Sequence, residues 1–260
     1  MPELIRIDDP DDPRIEPYRD IRERDLVGRR GHFIAEGEVV LRVLLSRSPH
    51  AAVSVLAAEK RAGAAILREV PDGVPVYVAA QAVLDRIAGF SMHRGLLALG
   101  RRDDPPEAAA LLAGGRLVLV LFGIANHDNL GGIFRNAAAF GADAVLLDPQ
   151  CCDPLYRKAI RVSVGAALIV PFVRLPESED PLALLSRHGF TPLALSPAGT
   201  TPLAAVARPE RAALLLGTEG RGLPDAVLAG AMTIRIPMAP GFDSLNVATA
   251  SGIALHHLLG

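Results

Sequence analysis

The sequence predicts an α/β protein: a mainly parallel sheet with helices on both faces, preceded by a small α/β domain. Three observations carry this. From residue 117 to the end, short continuous apolar runs alternate with helical segments, the pattern of parallel strands buried on both faces. A charged, proline-containing stretch, Arg101-Arg102-Asp103-Asp104-Pro105-Pro106, separates this region from what precedes it and reads as a domain boundary. The 260 residues, 50% of them apolar, suffice for one large domain or two small ones with cores of their own.

Taken in order, residues 1–18 hold six acidic and two basic residues among several prolines and are expected to form a poorly ordered tail. Residues 19–102 make the small α/β unit. Apolar spacing predicts a helix over 36–45, and strands at 53–56, 74–78 and 96–99. Residues 103–112 are the expected linker, and 113–260 the larger domain. Its strands are expected at 117–122, 144–147, 168–173, 192–195, 213–217 and 233–236. Helices fall between them, and a last helix runs over 247–259.

Composition excludes several classes. No apolar run is long enough to span a bilayer, and Met1-Pro2-Glu3-Leu4-Ile5-Arg6 lacks a signal peptide's apolar core, so a cytoplasmic protein is expected. Cys151 and Cys152 are adjacent, with neither zinc nor redox spacing; they read as reduced loop or core residues, and no metal is expected. The net charge of −2 is unevenly spread, and residues 19–102 carry fourteen basic against nine acidic residues. This middle segment is the candidate polyanion surface. Arg19, Arg22, Arg24, Arg29 and Arg30 cluster at its start, interleaved with Asp20, Glu23 and Asp25. They fit either exposed helical ion pairs or anion contacts. Arg94, beside His93, is a second candidate.

Ligands of parallel sheets bind beyond the carboxyl ends of the strands. Three loops there are polar. The first, 123–136, holds Asn129, a candidate helix cap, then Gly131 and Gly132, which suggest close backbone packing, and Arg135 two turns on. The second, Gly217-Thr218-Glu219-Gly220-Arg221-Gly222, lets backbone approach a ligand. It matches neither a Walker A loop nor a dinucleotide fingerprint, which argues against a nicotinamide dehydrogenase. In the third, Ile236-Pro237-Met238 runs toward Ser244-Leu245-Asn246-Val247. Ser244 is placed either to cap the last helix or to hold a ligand.

These three segments together resemble the motifs of the SpoU (TrmH-like) RNA 2′-O-ribose methyltransferases, of the SPOUT superfamily. Residues 129–135 resemble motif one, 216–223 motif two, and 236–238 with 244–247 motif three. Thr218 stands where many members carry Asn or Ser. Residues 33–37 and 93–99 resemble the L30-like substrate-binding domain often fused in front. The resemblance implies a C-terminal trefoil knot, S-adenosylmethionine as cofactor, an RNA substrate (ribosomal ahead of transfer RNA) and a homodimer. It implies cofactor contacts at Leu195, Gly217, Ile236, Met238 and Leu245. The reacting groups would be Arg135, Asn129, Glu219, Ser244 and Asn246, and the RNA contacts Arg22, Arg24, Arg29, Arg30 and Arg94. A non-catalytic RNA-binding assembly factor of the same fold is the alternative. The last helix, with Ile253, Leu255 and Leu258, has an apolar stripe that suits either the dimer or the domain's own core.

Overall fold

The apolar runs of the first hundred residues pair into one mixed sheet. Its strands are β1 (Leu4–Ile7), β2 (His32–Glu36), β3 (Ala51–Ala58), β4 (Val76–Ala79) and β5 (Leu96–Arg101), in the order β1-β4-β3-β5-β2. β1, β4 and β3 run parallel, while β5 is antiparallel to β3 and β2. Helix α1 (Glu38–Ser46) follows β2, and α2 (Gln81–Ala88) follows β4. This computed structural model describes residues 2–19, 31–89, 92, 94–218 and 220–259. Arg22, Arg24, Arg29, Arg30 and Glu219 lie outside the described residues.

The acidic N-terminal stretch is not a tail. β1 pairs with β4 through four residues, and Ile7, Ile15 and Tyr18 are buried. The Tyr18 hydroxyl lies 2.7 Å from Ser54 Oγ and accepts from the Leu99 amide at 3.2 Å. Burial pushes its pKa up. A few apolar side chains at the right spacing outweigh a charged composition, because composition averages over residues that point to solvent. The first helix also begins two residues later than its apolar spacing suggested. Glu36 ends β2, and Gly37 turns the chain at φ +91°.

The second half builds a sheet of seven strands. After α3 (Ala108–Gly114), which fills part of the expected linker, come β6 (Leu117–Leu121), α4 (His127–Ala139) and β7 (Ala144–Leu147). The chain then forms α5 (Arg157–Val162) before β8 (Phe172–Arg174), α6 (Pro181–Arg187), β9 (Thr191–Leu195) and β10 (Thr201–Pro202). It ends with β11 (Ala212–Leu216), α7 (Asp225–Ala229), β12 (Met232–Arg235) and α8 (Val247–Leu259). The order is β10-β12-β9-β11-β6-β7-β8, and its pairings are parallel. β6, β7 and β11 are buried along their whole length, as expected for central strands covered on both sides. Among the described residues, no helix is long and apolar enough to cross a membrane.

Two compact units result: Met1–Asp104 with Asp153–Ile169, and Pro105–Cys152 with Val170–Gly260. The run expected as a strand over 168–173 therefore straddles two units. Ala166–Leu168 is a buried 3₁₀ turn of the first, and only Phe172–Arg174 joins the second unit's sheet. Continuous apolar runs do not separate buried turns from strands.

The segment that returns to the first unit is held by charge. Arg157 of α5 pairs with Glu36 at the end of β2, with side chains only 15% and 7% exposed. Arg157→Ala would leave Glu36 buried without the one ion-pair partner it has among the described residues. The substitution is expected to cost about 3 kcal/mol, as for other buried pairs losing one partner. Hydrogen exchange of β2 and β5 amides during denaturant titration measures it; a loss below about 1 kcal/mol would mean the pair behaves as a surface pair.

Candidate functional site

In a parallel sheet every strand delivers its carboxyl end to the same edge. β12, β9, β11 and β6 are neighbours, so the loops that follow them gather there. Three of these loops and the start of α8 enclose a cavity of about 440 Å³. Residues 195–198 line it at the end of β9, residues 216–218 and 220–222 after β11, and Ile236, Met238 and residues 243–245 after β12, with Val247 and Ala250 from the helix.

The glycine-rich loop after β11 is a tight turn. Thr218 and Gly222 exchange backbone hydrogen bonds of 3.2 and 3.0 Å, and Thr218 Oγ1 accepts from the Arg221 amide at 3.1 Å. A Cβ on Gly217 would meet the Gly222 carbonyl at 2.3 Å. Glycine is required there by the turn's own closure, which then presents backbone to the cavity.

The structure reassigns both helix caps. Asn126, not Asn129, caps α4: its Oδ1 accepts from the amides of Asp128 (2.8 Å) and Asn129 (3.4 Å). Asn129 thus falls inside the first turn, and its side chain points inward, 8% exposed. Its Oδ1 accepts from Asn246 Nδ2 at 2.8 Å. Asn246 in turn caps α8, accepting at Oδ1 from the amides of Ala248 (3.0 Å) and Thr249 (3.2 Å). Ser244 is therefore not the cap. Its hydroxyl donates to Asp243 Oδ1 at 3.4 Å, and it lines the cavity.

α4 and α8 are locked along their length. A Cβ on Gly132 would come within 2.7 Å of Ala248 Cβ, so the glycine that is costly in a helix permits a close crossing. Asn136 Nδ2 donates to the Ala248 carbonyl at 2.6 Å and to the buried Ser251 hydroxyl at 3.0 Å. At the end of β6, Cys151 is buried, with Sγ accepting from the Ile124 amide and donating to the Leu121 carbonyl. Burial pushes its thiol up to about 12, so it is a neutral packing group. Cys151 and Cys152 are both free of disulfides.

The residues singled out from sequence distribute as follows. Leu195, Gly217, Ile236, Met238 and Leu245 all line the cavity, with Ser244 among them. Asn129 and Asn246 bond to each other and are not among the lining residues. Arg135 is exposed on α4, outside the cavity's lining, and makes no hydrogen bond or ion pair among the described residues. Arg94, in the first unit, is exposed with its Cδ 3.1 Å from where a Gly37 Cβ would stand. Sequence reasoning missed the loop 196–198, and the lining charges Arg221 and Asp243. The first was within reach, because the strand at 192–195 belongs to the same parallel series and its loop must open on the same edge. Among the described residues, no group of His, Cys, Asp or Glu is placed to hold a metal ion.

Such a cavity, beyond the carboxyl ends of adjacent parallel strands, defines a small-ligand-binding α/β domain. The family model described as the SpoU rRNA Methylase family matches residues 116–256. Uncharacterized tRNA/rRNA methyltransferases of Mycobacterium bovis and Mycobacterium tuberculosis are 42% identical over 95% of this chain and 89% of theirs. Among solved structures, an RNA 2′-O ribose methyltransferase is 26% identical, with a TM-score of 0.79 over 98% of both chains. An AdoMet-bound rRNA methyltransferase from Sinorhizobium meliloti shares the fold, with a TM-score of 0.84 at 22% identity over 98% of this chain and 97% of that one. The chain belongs to the SpoU rRNA methylase family and is an RNA methyltransferase of that family.

The cap assignment is directly testable. Asn246→Ala removes the α8 cap and the link to Asn129, and is expected to cost about 1–2 kcal/mol. Ser244→Ala is expected to stay within about 0.5 kcal/mol. Denaturant unfolding of both variants checks this, and a reversed order would return the cap to Ser244.

Proposed function

We propose that the chain transfers the methyl group of S-adenosylmethionine to a ribose 2′-hydroxyl of RNA, ribosomal RNA ahead of transfer RNA. One observation carries this reading. The five positions that the resemblance assigns to the cofactor, drawn from the ends of three different strands and the loops after them, line a single cavity. Its volume lies in the range of small-molecule sites, roughly 300–1,000 Å³. Its lining fits a nucleoside with an amino-acid arm: apolar side chains from Leu195, Leu216, Ile236 and Leu245, and backbone at Gly217, Gly220 and Gly222. Ribose 2′-O chemistry is supported by the neighbour of that name, which matches over nearly the whole of both chains. The family's description supports ribosomal RNA, while the relatives' names leave transfer RNA as the close variant.

When bound, the cofactor supplies an already activated sulfonium methyl. The protein's own task is to orient the ribose and to stabilise the charge that develops at its 2′-oxygen. Arg135 is suited to the second role. Its guanidinium is exposed and engages no acid among the described residues. We assign it to the RNA phosphate and the developing alkoxide rather than to proton removal. Asn129 and Asn246 act as positioning residues that fix the first turns of α4 and α8, and Ser244 presents its hydroxyl to the cavity. Glu219 is assigned to the same site by its motif.

The first unit is proposed as the RNA-binding domain, L30-like as its motifs suggest. Arg94 is one of its contacts, being an exposed cation with no ion pair among the described residues. A homodimer is proposed as well. Leu255 and Leu258 are buried within their own unit, while Ile253 and Leu259 are 41% and 45% exposed and available to a partner. The trefoil knot is a further proposal, supported by a strand order in which β9 separates the consecutive strands β11 and β12.

The test is methyl transfer from labelled S-adenosylmethionine to ribosomal and transfer RNA pools, followed by mapping of ribose methylation. Label at a ribose 2′-oxygen of ribosomal RNA is expected, and label confined to bases would contradict the reading. Arg135→Ala is expected to lower turnover by about 10²–10³-fold, the range for removing one preorganised charge-stabilising donor, with cofactor affinity unchanged. Near-normal turnover in Arg135→Lys with unchanged RNA affinity would remove Arg135 from this role.

A further inference from the structure

Among the described residues that line the cavity, Asp243 is the one acid and Arg221 the one base. The others contribute apolar side chains, hydroxyls or backbone. The two charges come from different loops, Asp243 from the loop after β12 and Arg221 from the turn after β11. They do not pair with each other, and neither forms an ion pair with any described residue. Asp243 accepts one long hydrogen bond from Ser244 Oγ. Arg221 is held through its backbone amide on Thr218 Oγ1, which leaves its guanidinium uncommitted.

Opposite charges that face one cavity and stay apart from each other suit a ligand that carries both signs. A carboxylate on the ligand matches the guanidinium fork, and an ammonium matches the aspartate. We propose that Asp243 and Arg221 clamp the zwitterionic amino-acid arm of the cofactor, Asp243 taking the ammonium and Arg221 the carboxylate. This rests on the cofactor reading above. It assigns the polar end of the ligand to two side chains given no role by the resemblance, one inside motif two and one just before the second part of motif three, and leaves the nucleoside to the apolar and backbone lining. Such a clamp would let a site with little fixed charge discriminate the whole cofactor from its nucleoside fragments.

The test is calorimetric binding to the full chain of three ligands: S-adenosylmethionine, S-adenosylhomocysteine, and 5′-methylthioadenosine, which lacks the amino-acid arm. Asp243→Asn and Arg221→Gln are each expected to weaken the first two by about tenfold, the lower end for a hydrogen bond to a charged group. Binding of 5′-methylthioadenosine should stay at the wild-type value, and Arg221→Lys should recover part of the loss. Three results would overturn the clamp: unchanged affinities, an equal loss for all three ligands, or an Arg221→Gln defect confined to RNA affinity. A loss in Asp243→Asn for S-adenosylmethionine but not S-adenosylhomocysteine would assign Asp243 to the sulfonium and overturn its pairing with the ammonium. Wild-type protein that binds none of the three would overturn the cofactor reading itself.

Discussion

The hydrogen bond from Asn246 Nδ2 to Asn129 Oδ1 joins positions 117 apart in sequence, and the geometry of the site depends on it. One end sits in the first turn of α4, the other at the cap of α8. Because Asn246 spends its Oδ1 on the helix amides and its Nδ2 on Asn129, a single side chain sets both where α8 starts and how it meets α4. The loop before it, from Ile236 to Leu245, is thereby anchored at both ends, by β12 and by the cap. Without that anchor the proline- and glycine-containing segment would have little to define it: residues 241–246 are exposed and offer few buried apolar contacts.

The second constraint is the parallel sheet. Neither the turn after β11 nor the loop after β12 is a site alone. β9 lies between β11 and β12, so the three loops emerge side by side, and their backbones form a wall where each would otherwise be a surface turn. Helix crossing completes the arrangement. Gly132 permits the contact with Ala248, and Asn136 satisfies the Ala248 carbonyl and Ser251 there. Loss of conformational entropy at a mid-helix glycine is offset by packing that no larger residue allows.

Most of the large sheet was legible in the sequence, because fully buried parallel strands such as 144–147 and 212–216 read as unbroken apolar runs. The motif residues at the cavity were legible for a different reason: they sit in loops whose place is set by strand ends. What was hidden depended on tertiary context. Asn126, Asn129, Ser244 and Asn246 are all good capping residues, and only the folded chain shows that Asn126 and Asn246 cap while Asn129 and Ser244 face elsewhere. The N-terminal strand was hidden by its acidic neighbours, although Ile7, Ile15 and Tyr18 bury fully. The return of residues 153–169 to the first unit was hidden because its anchor, Arg157 with Glu36, pairs groups 121 positions apart. Local spacing carries no trace of such a pair.

The loops after β9, β11 and β12 are proposed to hold the methyl donor, and Arg135 of α4 to act on RNA. A crystal structure with S-adenosylhomocysteine tests this most directly. The account predicts the nucleoside against Leu195, Gly217, Ile236 and Leu245. Density for the ligand elsewhere on the chain, with this cavity closed or filled by other side chains, would contradict it.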